Sequence, residues 1–481
     1  MRIPFACCGA LTLAVGCAGC ATKIERPPTP SPKMSDSYLN SAEPTRGVSA
    51  GAIGAWWRGL NDPVIDNLVD RALQRNTNVR AAVARIDQAR ALRRGTASEG
   101  LPQINVDLSA GRERISAYQA GFIEPVTQNA FNADLSVSWE LDVFGRIRSG
   151  IRAAEAEIDA AQSDLRAVRV VVVATVVGSG LLVRGLDQRI EIVTHSQFAQ
   201  NQIAVDTRRM FEAGTVGRGD LDRAESQAAS TGAEIPALQL KRQIVLNHLA
   251  SIVALPTREV YERFLVTEPA SKSDFREVSV GVPAELLRRR PDIQAAEARL
   301  LAANARLGVA KAELKPHFVL TGLIGSLASA FTGEGLARTV EWIAAAGAQT
   351  PLIDGGRRRS VVALRSARTE EALVQYQATV LRAVEDVENV LSARGRDNER
   401  LTRLTLAAAR ARSATEQVRN AWRAGELPIL DLLEAERAQL ATDDALEQVR
   451  TAVLLDQVLL YSVLAGGTDE EDVPSLDSPE T

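Results

Sequence analysis

The side chains able to form covalent or metal bonds are few and unevenly placed. All four cysteines, Cys7, Cys8, Cys17 and Cys20, fall in the first twenty residues of a 481-residue chain. The remainder carries no thiol nucleophile, no disulfide framework and no thiolate metal ligand. Only three histidines exist, His195, His248 and His317, and none has a Cys or a second His at ligand spacing. No metal and no other cofactor is expected. Acid–base chemistry would fall to carboxylates, and none sits in a turn-rich segment of the kind that builds a catalytic cleft, so no catalytic residue is expected either. The cysteine pattern with chemical meaning is Leu13-Ala14-Val15-Gly16-Cys17, small residues ahead of a Cys that can be acylated. It follows Met1-Arg2 and an apolar stretch from Ile3 to Val15, which together read as an export signal over residues 1–16. Cys17 is the preferred acylation site; Cys20, after Ala18-Gly19, is the alternative.

The body of the chain must therefore work by shape and charge. It is 46% hydrophobic but only 4% aromatic, and Ala, Leu and Val dominate, which favours long, closely packed helices. A net charge of −4 with acids and bases interspersed gives no footprint for nucleic acid.

One unit is written twice. Val79–Pro102 aligns with Ile293–Pro316 at an offset of 214, placing Ala81, Ala82, Ala84, Arg85, Ala89, Ala91 and Pro102 on matching residues. Gly145-Arg146-Ile147-Arg148-Ser149 falls on Gly356-Arg357-Arg358-Arg359-Ser360 at an offset of 211. The same offset carries Gly214, Asp220, Leu221, Ala224 and Glu225 onto Gly425, Asp431, Leu432, Ala435 and Glu436. After the signal, residues 17–50 read as an anchored tether rich in proline (Pro27, Pro28, Pro30, Pro32). Residues 51–254 form the first repeat, 255–279 a linker, 280–466 the second repeat and 467–481 an acidic tail.

Each repeat opens with a helix ending before a proline, Asp66–Glu99 in the first and Pro291–Leu314 in the second. Strands follow over about 102–143 and 316–354, where Ile104, Val106, Leu108 and then Leu135, Val137, Trp139, Leu141 alternate with polar residues. Long helical hairpins then occupy 147–254 and 357–465, turning at Gly214 and Gly425. A proline-free run from Ile147 to Ala213 predicts a helix of about 100 Å. Val170–Val183 is apolar but too short to span a bilayer, so it reads as buried packing. Without a spanning helix, a closed barrel is the remaining way to cross a membrane. Four strands cannot close one, so several chains must contribute.

The runs Trp56-Trp57-Arg58 with Asp62-Pro63, Ser138-Trp139-Glu140-Leu141-Asp142-Val143-Phe144-Gly145-Arg146, and Leu287-Arg288-Arg289-Arg290-Pro291-Asp292-Ile293 resemble outer-membrane factors of the TolC type. The NodT-like lipoproteins of resistance-nodulation-division efflux pumps are the nearest branch, and the similarity covers roughly Ala50 to Gly467. The resemblance implies a mainly α fold with a transmembrane β part. A homotrimer would give four strands per chain to a twelve-stranded outer-membrane barrel and its hairpins to a periplasmic α-barrel. It also implies lipid anchoring and passive conduction of small amphiphilic compounds. The partners would be a periplasmic membrane-fusion adaptor and an inner-membrane transporter, with no nucleic acid involved. An exit duct for a secreted polypeptide and a non-conducting lipid-anchored coiled-coil scaffold are the competing functions.

In such a family the hairpin turns meet the adaptor: Gly214, Thr215, Val216 and Gly217 in the first, Gly425, Glu426, Leu427 and Pro428 in the second. Asp220 lies just past the first turn, and Asp431 and Glu434 share a helix face just past the second. In a trimer these acids would form charged rings at a periplasmic gate. Family members close the tip with a tyrosine where this chain has Trp422, whose indole donates a hydrogen bond but cannot accept one.

Overall fold

The computed structural model describes residues 38–39, 55–116, 125–266, 289–331 and 337–464. The signal segment, both candidate acylation sites Cys17 and Cys20, and the acidic tail lie outside these residues. The chain divides into two units, one of residues 1–30, 85–161 and 295–377, the other of residues 31–84, 162–294 and 378–481.

The first unit is built on four strands, β1 (Gln103–Ile115), β2 (Val126–Leu141), β3 (His317–Phe331) and β4 (Ala337–Gln349). They form one antiparallel sheet in the order β1-β2-β3-β4, so one strand pair from each repeat meets at β2–β3. The register keeps like residues on one face: Ile104 pairs with Val137, Val106 with Leu135, and Leu135 with Ile324, which pairs with Trp342. Ile104, Leu108 and Trp342 are 65%, 76% and 74% exposed. So large an open apolar face is unlike that of a soluble sheet and suits contact with lipid. The opposite face carries Asn105, Asp107, Asn132, Asp134, Ser136, Thr321 and Glu341. Among the described residues, β1 and β4 each have one edge with no strand beside it.

Each strand pair hands over to a long helix through an aspartate. Asp142 accepts the N–H groups of Ile147 (3.1 Å) and Arg148 (2.8 Å) and so caps α3 (Arg146–Glu212). Asp354 accepts those of Arg358 (3.1 Å) and Gly356 (3.0 Å) ahead of α7 (Arg357–Arg423). The Arg358 N–H, with help from Gly356, holds the Asp354 carboxyl below its usual range. Arg146 grips both Glu140 oxygens at 3.0 Å and Glu99 at 3.1 Å, while the Trp139 indole donates to the Gly100 carbonyl at 2.9 Å. The Ser138–Arg146 run is thus a joint between strand and helix.

The second unit is helical. It contains α1 (Pro63–Arg75) and the start of α2 (Thr77–Ser98), where sequence periodicity alone predicts one continuous helix over Asp66–Glu99. The break is at Asn76, whose ψ of 133° leaves the helical region. Its side chain accepts the N–H groups of Asn78 (2.8 Å) and Val79 (3.2 Å) and donates to the Ile252 carbonyl at 2.8 Å, so tertiary pairing sets the kink. The remaining helices are α3 from residue 162 onward, α4 (Arg218–Val253), α5 (Thr257–Val266), the start of α6 (Pro291–Ala312), α7 from residue 378 and α8 (Ile429–Val463). Helix α5 lies in the stretch expected to link the repeats.

In α3, one window is apolar enough by composition to cross a membrane. Val172, Val173, Val176, Val177 and Val183 are nevertheless buried, whereas Val171 is 60% exposed, so the run packs one face inward. Its glycines let neighbours close in: a Cβ on Gly185 would fall 2.2 Å from Thr451 Oγ1 on α8. Trp56 stacks on Tyr461 with centroids 4.6 Å apart, and Trp57, Leu60, Ile65 and Leu68 are buried with it.

Candidate functional site: hairpin tips and strand wall

Both hairpins turn by the same device. At the first, Gly214 N–H reaches Phe211 O and Thr215 N–H reaches Met210 O, each at 2.9 Å; at the second, Gly425 and Glu426 bond Trp422 O and Ala421 O at 2.9 Å. This pairing satisfies carbonyls at a helix end only if the glycine takes positive φ, and Gly214 and Gly425 sit at +69° and +77°. Beyond the adjoining chain, no heavy atom of the described residues lies within 4 Å of a Cβ built on either. Replacing Gly425 by alanine is therefore expected to cost backbone strain alone, about 1–2 kcal/mol. Chemical denaturation would measure it, and a loss well above about 3 kcal/mol would mean that the tip is crowded. Gly214, Thr215, Gly217, Gly425, Glu426 and Pro428 are exposed, and Val216 and Leu427 are half-buried.

The acids beside the turns differ in their partners. Asp220 faces Arg223 at 3.5 Å on its own helix, and Asp222 pairs with Arg218 at 2.9 Å. Asp431 and Glu434 have no hydrogen bond or ion pair through their side chains among the described residues. Trp422 is packed inside, 8% exposed, in a cluster with Ile203, Ala224, Ile429, Leu432 and Leu433 from four helices. Its indole therefore fixes how the two hairpins fit together near the tips.

Each hairpin carries one ion pair at matching positions: Arg208 with Glu225, and Arg419 with Glu436. The first is largely exposed, whereas Glu436 is 4% exposed, so solvent and salt screen the second pair less. Between hairpins, Arg189 grips Asp444 at 2.6 and 3.1 Å, and Arg437 donates to the Gln227 carbonyl oxygen at 2.6 Å. Nothing in the residue order pairs these groups. The matched Glu225 and Glu436, by contrast, were visible in the repeat.

On the polar face of the sheet, Asp107, Asp134, Gly325 and Glu341 fall in one register row. Three of those four positions carry a carboxylate, and no base interrupts them.

A family model described as "Outer membrane efflux protein" matches residues 68–255 and 282–466. The chain belongs to that family. This efflux protein is 30% identical over 447 residues to nodulation protein T of Rhizobium leguminosarum bv. viciae, covering 92% of this chain and 89% of that one. It is 30% identical over 455 residues to the pyoverdine export outer membrane protein OpmQ of Pseudomonas aeruginosa, covering 91% and 93%. Among solved structures, the outer-membrane channel OprN superposes with a TM-score of 0.80 at 31% identity, over 91% of this chain and 99% of that one. The Campylobacter jejuni CmeC channel shares the fold, with a TM-score of 0.82 at 21% identity over 92% and 94%. The fold is thus that of a TolC-type outer-membrane channel, and the family is one of efflux ducts rather than enzymes.

Proposed function

We propose that three copies of this efflux protein close a twelve-stranded barrel and form the exit duct of a tripartite pump for small amphiphilic compounds. The observation that carries this is the four-stranded sheet with one apolar face, one polar face and two unpaired edges. In lipid such edges must be paired, and copies of the same sheet supply the partners. The polar face would then line the duct. The exposed turns Gly214–Gly217 and Gly425–Pro428 would receive a periplasmic adaptor's helical hairpin, with a resistance-nodulation-division transporter supplying the energy. Acylation at Cys17, or at Cys20, would fix the chain to the outer membrane; a relative from Salmonella typhimurium, SilC, is named a probable outer membrane lipoprotein.

At the gate, Asp431 and Glu434 would repeat around the threefold axis as a ring of unpaired carboxylates, with Asp220 behind them and Trp422 holding the hairpins in register. Such a ring concentrates multivalent cations. Single-channel recording in planar bilayers tests it. The Asp431→Ala, Glu434→Ala double variant is expected to need about tenfold more trivalent cation for half-block. Unchanged block would place the binding elsewhere and remove these two residues from the gate.

A further inference from the structure

The second hairpin is held by a ladder of contacts between α7 and α8. Counting away from the tip, Arg419 meets Glu436, then Thr415 Oγ1 donates to the Ala435 carbonyl at 3.0 Å, then Arg412 meets Asp443 at 2.8 Å. Leu401, Leu404 and Ala408 follow, packed on Leu446 and Val449. The same antiparallel spacing carries the next rung to two acids, Asp397 on α7 and Asp456 on α8, and the charge of the first acts on the second. Asp456 is 7% exposed, and its Oδ2 has no hydrogen-bond partner among the described residues. Asp397 is occupied along its own helix by Arg400 at 2.9 Å.

The other repeat shows what this rung is without the acids. At the offset of 211, Asp397 and Asp456 correspond to Leu186 and Val245, which pack in one hydrophobic cluster of α3 and α4. The second hairpin therefore has a like-charge rung where its twin has an apolar one. We propose that the Asp397–Asp456 rung is a proton-binding site whose occupancy sets how firmly α7 closes on α8.

The physical case is simple. A carboxylate buried beside another has lost its water and gained a repulsion, and one bound proton relieves both. Among the described residues, the charges that act on Asp456 are Asp397 and Arg394, both on α7. Helix α3 packs on the same part of α8 at Gly178 and Gly185; the one charge it carries between those glycines, Arg184, is engaged by Asp62 at 3.1 Å. Burial first, then Asp397, push the Asp456 carboxyl up to about 6, against the opposing pull of Arg394. Because this lies above the ordinary 3.8, the folded chain holds a proton that the unfolded chain releases. Stability from this rung is present in acid and is lost as pH rises through the interval up to about 6.

Hydrogen exchange of the full-length protein in detergent, at about pH 5 and about pH 7.5 and corrected for intrinsic rates, tests the site. Amides of residues 390–404 and 449–463 are expected to exchange about tenfold faster at the higher pH. The matching amides around Leu186 and Val245 serve as an internal control and are expected to show no such change. Asp456→Asn, which keeps the shape but binds no proton, should abolish the difference. So should Asp397→Leu with Asp456→Val, which rebuilds the rung of the first hairpin; if that variant does not fold, Asp456→Asn alone decides. A flat wild-type profile, an equal change in the control amides or a difference that survives Asp456→Asn would each overturn the proposal.

Discussion

Replacing Asp62 by alanine is expected to destabilise the helical unit by about 3–5 kcal/mol, the cost of breaking a buried ion pair from one side. Asp62 does two jobs with one carboxylate. Its Oδ1 accepts the N–H groups of Val64 (3.0 Å) and Ile65 (3.3 Å), capping α1, and its Oδ2 accepts Arg184 Nε at 3.1 Å. The two side chains are 6% and 13% exposed, so water replaces little of what is lost. Arg184 would be left over the Phe264 ring, 5.0 Å from its centroid, with no other ion pair among the described residues. Asp62→Asn keeps the cap and removes the charge, and should recover about 1 kcal/mol of the loss. Thermal unfolding followed by helical circular dichroism would separate the two. A midpoint for Asp62→Ala equal to that of the native protein would mean that Arg184 finds another partner.

The second large effect is expected at Arg290. Its guanidinium donates to both Asp292 oxygens (3.1 and 2.7 Å), to Asp386 at 3.0 Å and to the Val463 carbonyl at 3.3 Å. One side chain thus ties the start of α6 to the middle of α7 and the end of α8. Burial opposes its charge, but Asp292 and then Asp386 outweigh burial and hold the group above its ordinary value. Arg290→Ala leaves two acids facing each other. They are 39% and 46% exposed, so solvent screens part of the repulsion and the expected loss is about 2 kcal/mol rather than the full buried-pair cost. Arg290→Lys keeps the charge without the planar fork and should lose roughly half as much. If lysine matched arginine in denaturation midpoint, the fork geometry would be irrelevant and only the charge would count.

Arg290 illustrates what the sequence made legible and what it hid. The Arg-Pro-Asp run marked a helix start, and Asp292 does lie in the first turn of α6, but the partners Asp386 and Val463 are far along the chain and carry no local signature. The repeat was far more informative. It located both turns through Gly214 and Gly425, and both strand-to-helix joints, because each must solve the same local backbone problem twice. Alternation exposed the strands for the same reason: one face must meet a different medium from the other. The kink at Asn76 escaped because periodicity continues through it; only the bond to Ile252, a tertiary contact, makes the break worthwhile. Trp422 was legible as an aromatic beside a turn but not as a core residue, since its burial depends on Ile203 and Ala224 of the other hairpin. Asp397 and Asp456 escaped for a different reason: acids 59 positions apart look solvated until two antiparallel helices bring them to one level.

The unpaired outer edges of β1 and β4 also constrain the order of events during biogenesis. A lone sheet cannot enter lipid and wait there, because its open N–H and C=O rows would have no partner in the hydrocarbon. Insertion and oligomerisation must therefore be one step, and its rate must rise steeply with the concentration of folded chains still outside the membrane. Until that step is complete, every newly exported copy presents two adhesive margins to any other strand it meets. The same feature that would close the finished pore is a liability in its unassembled precursor.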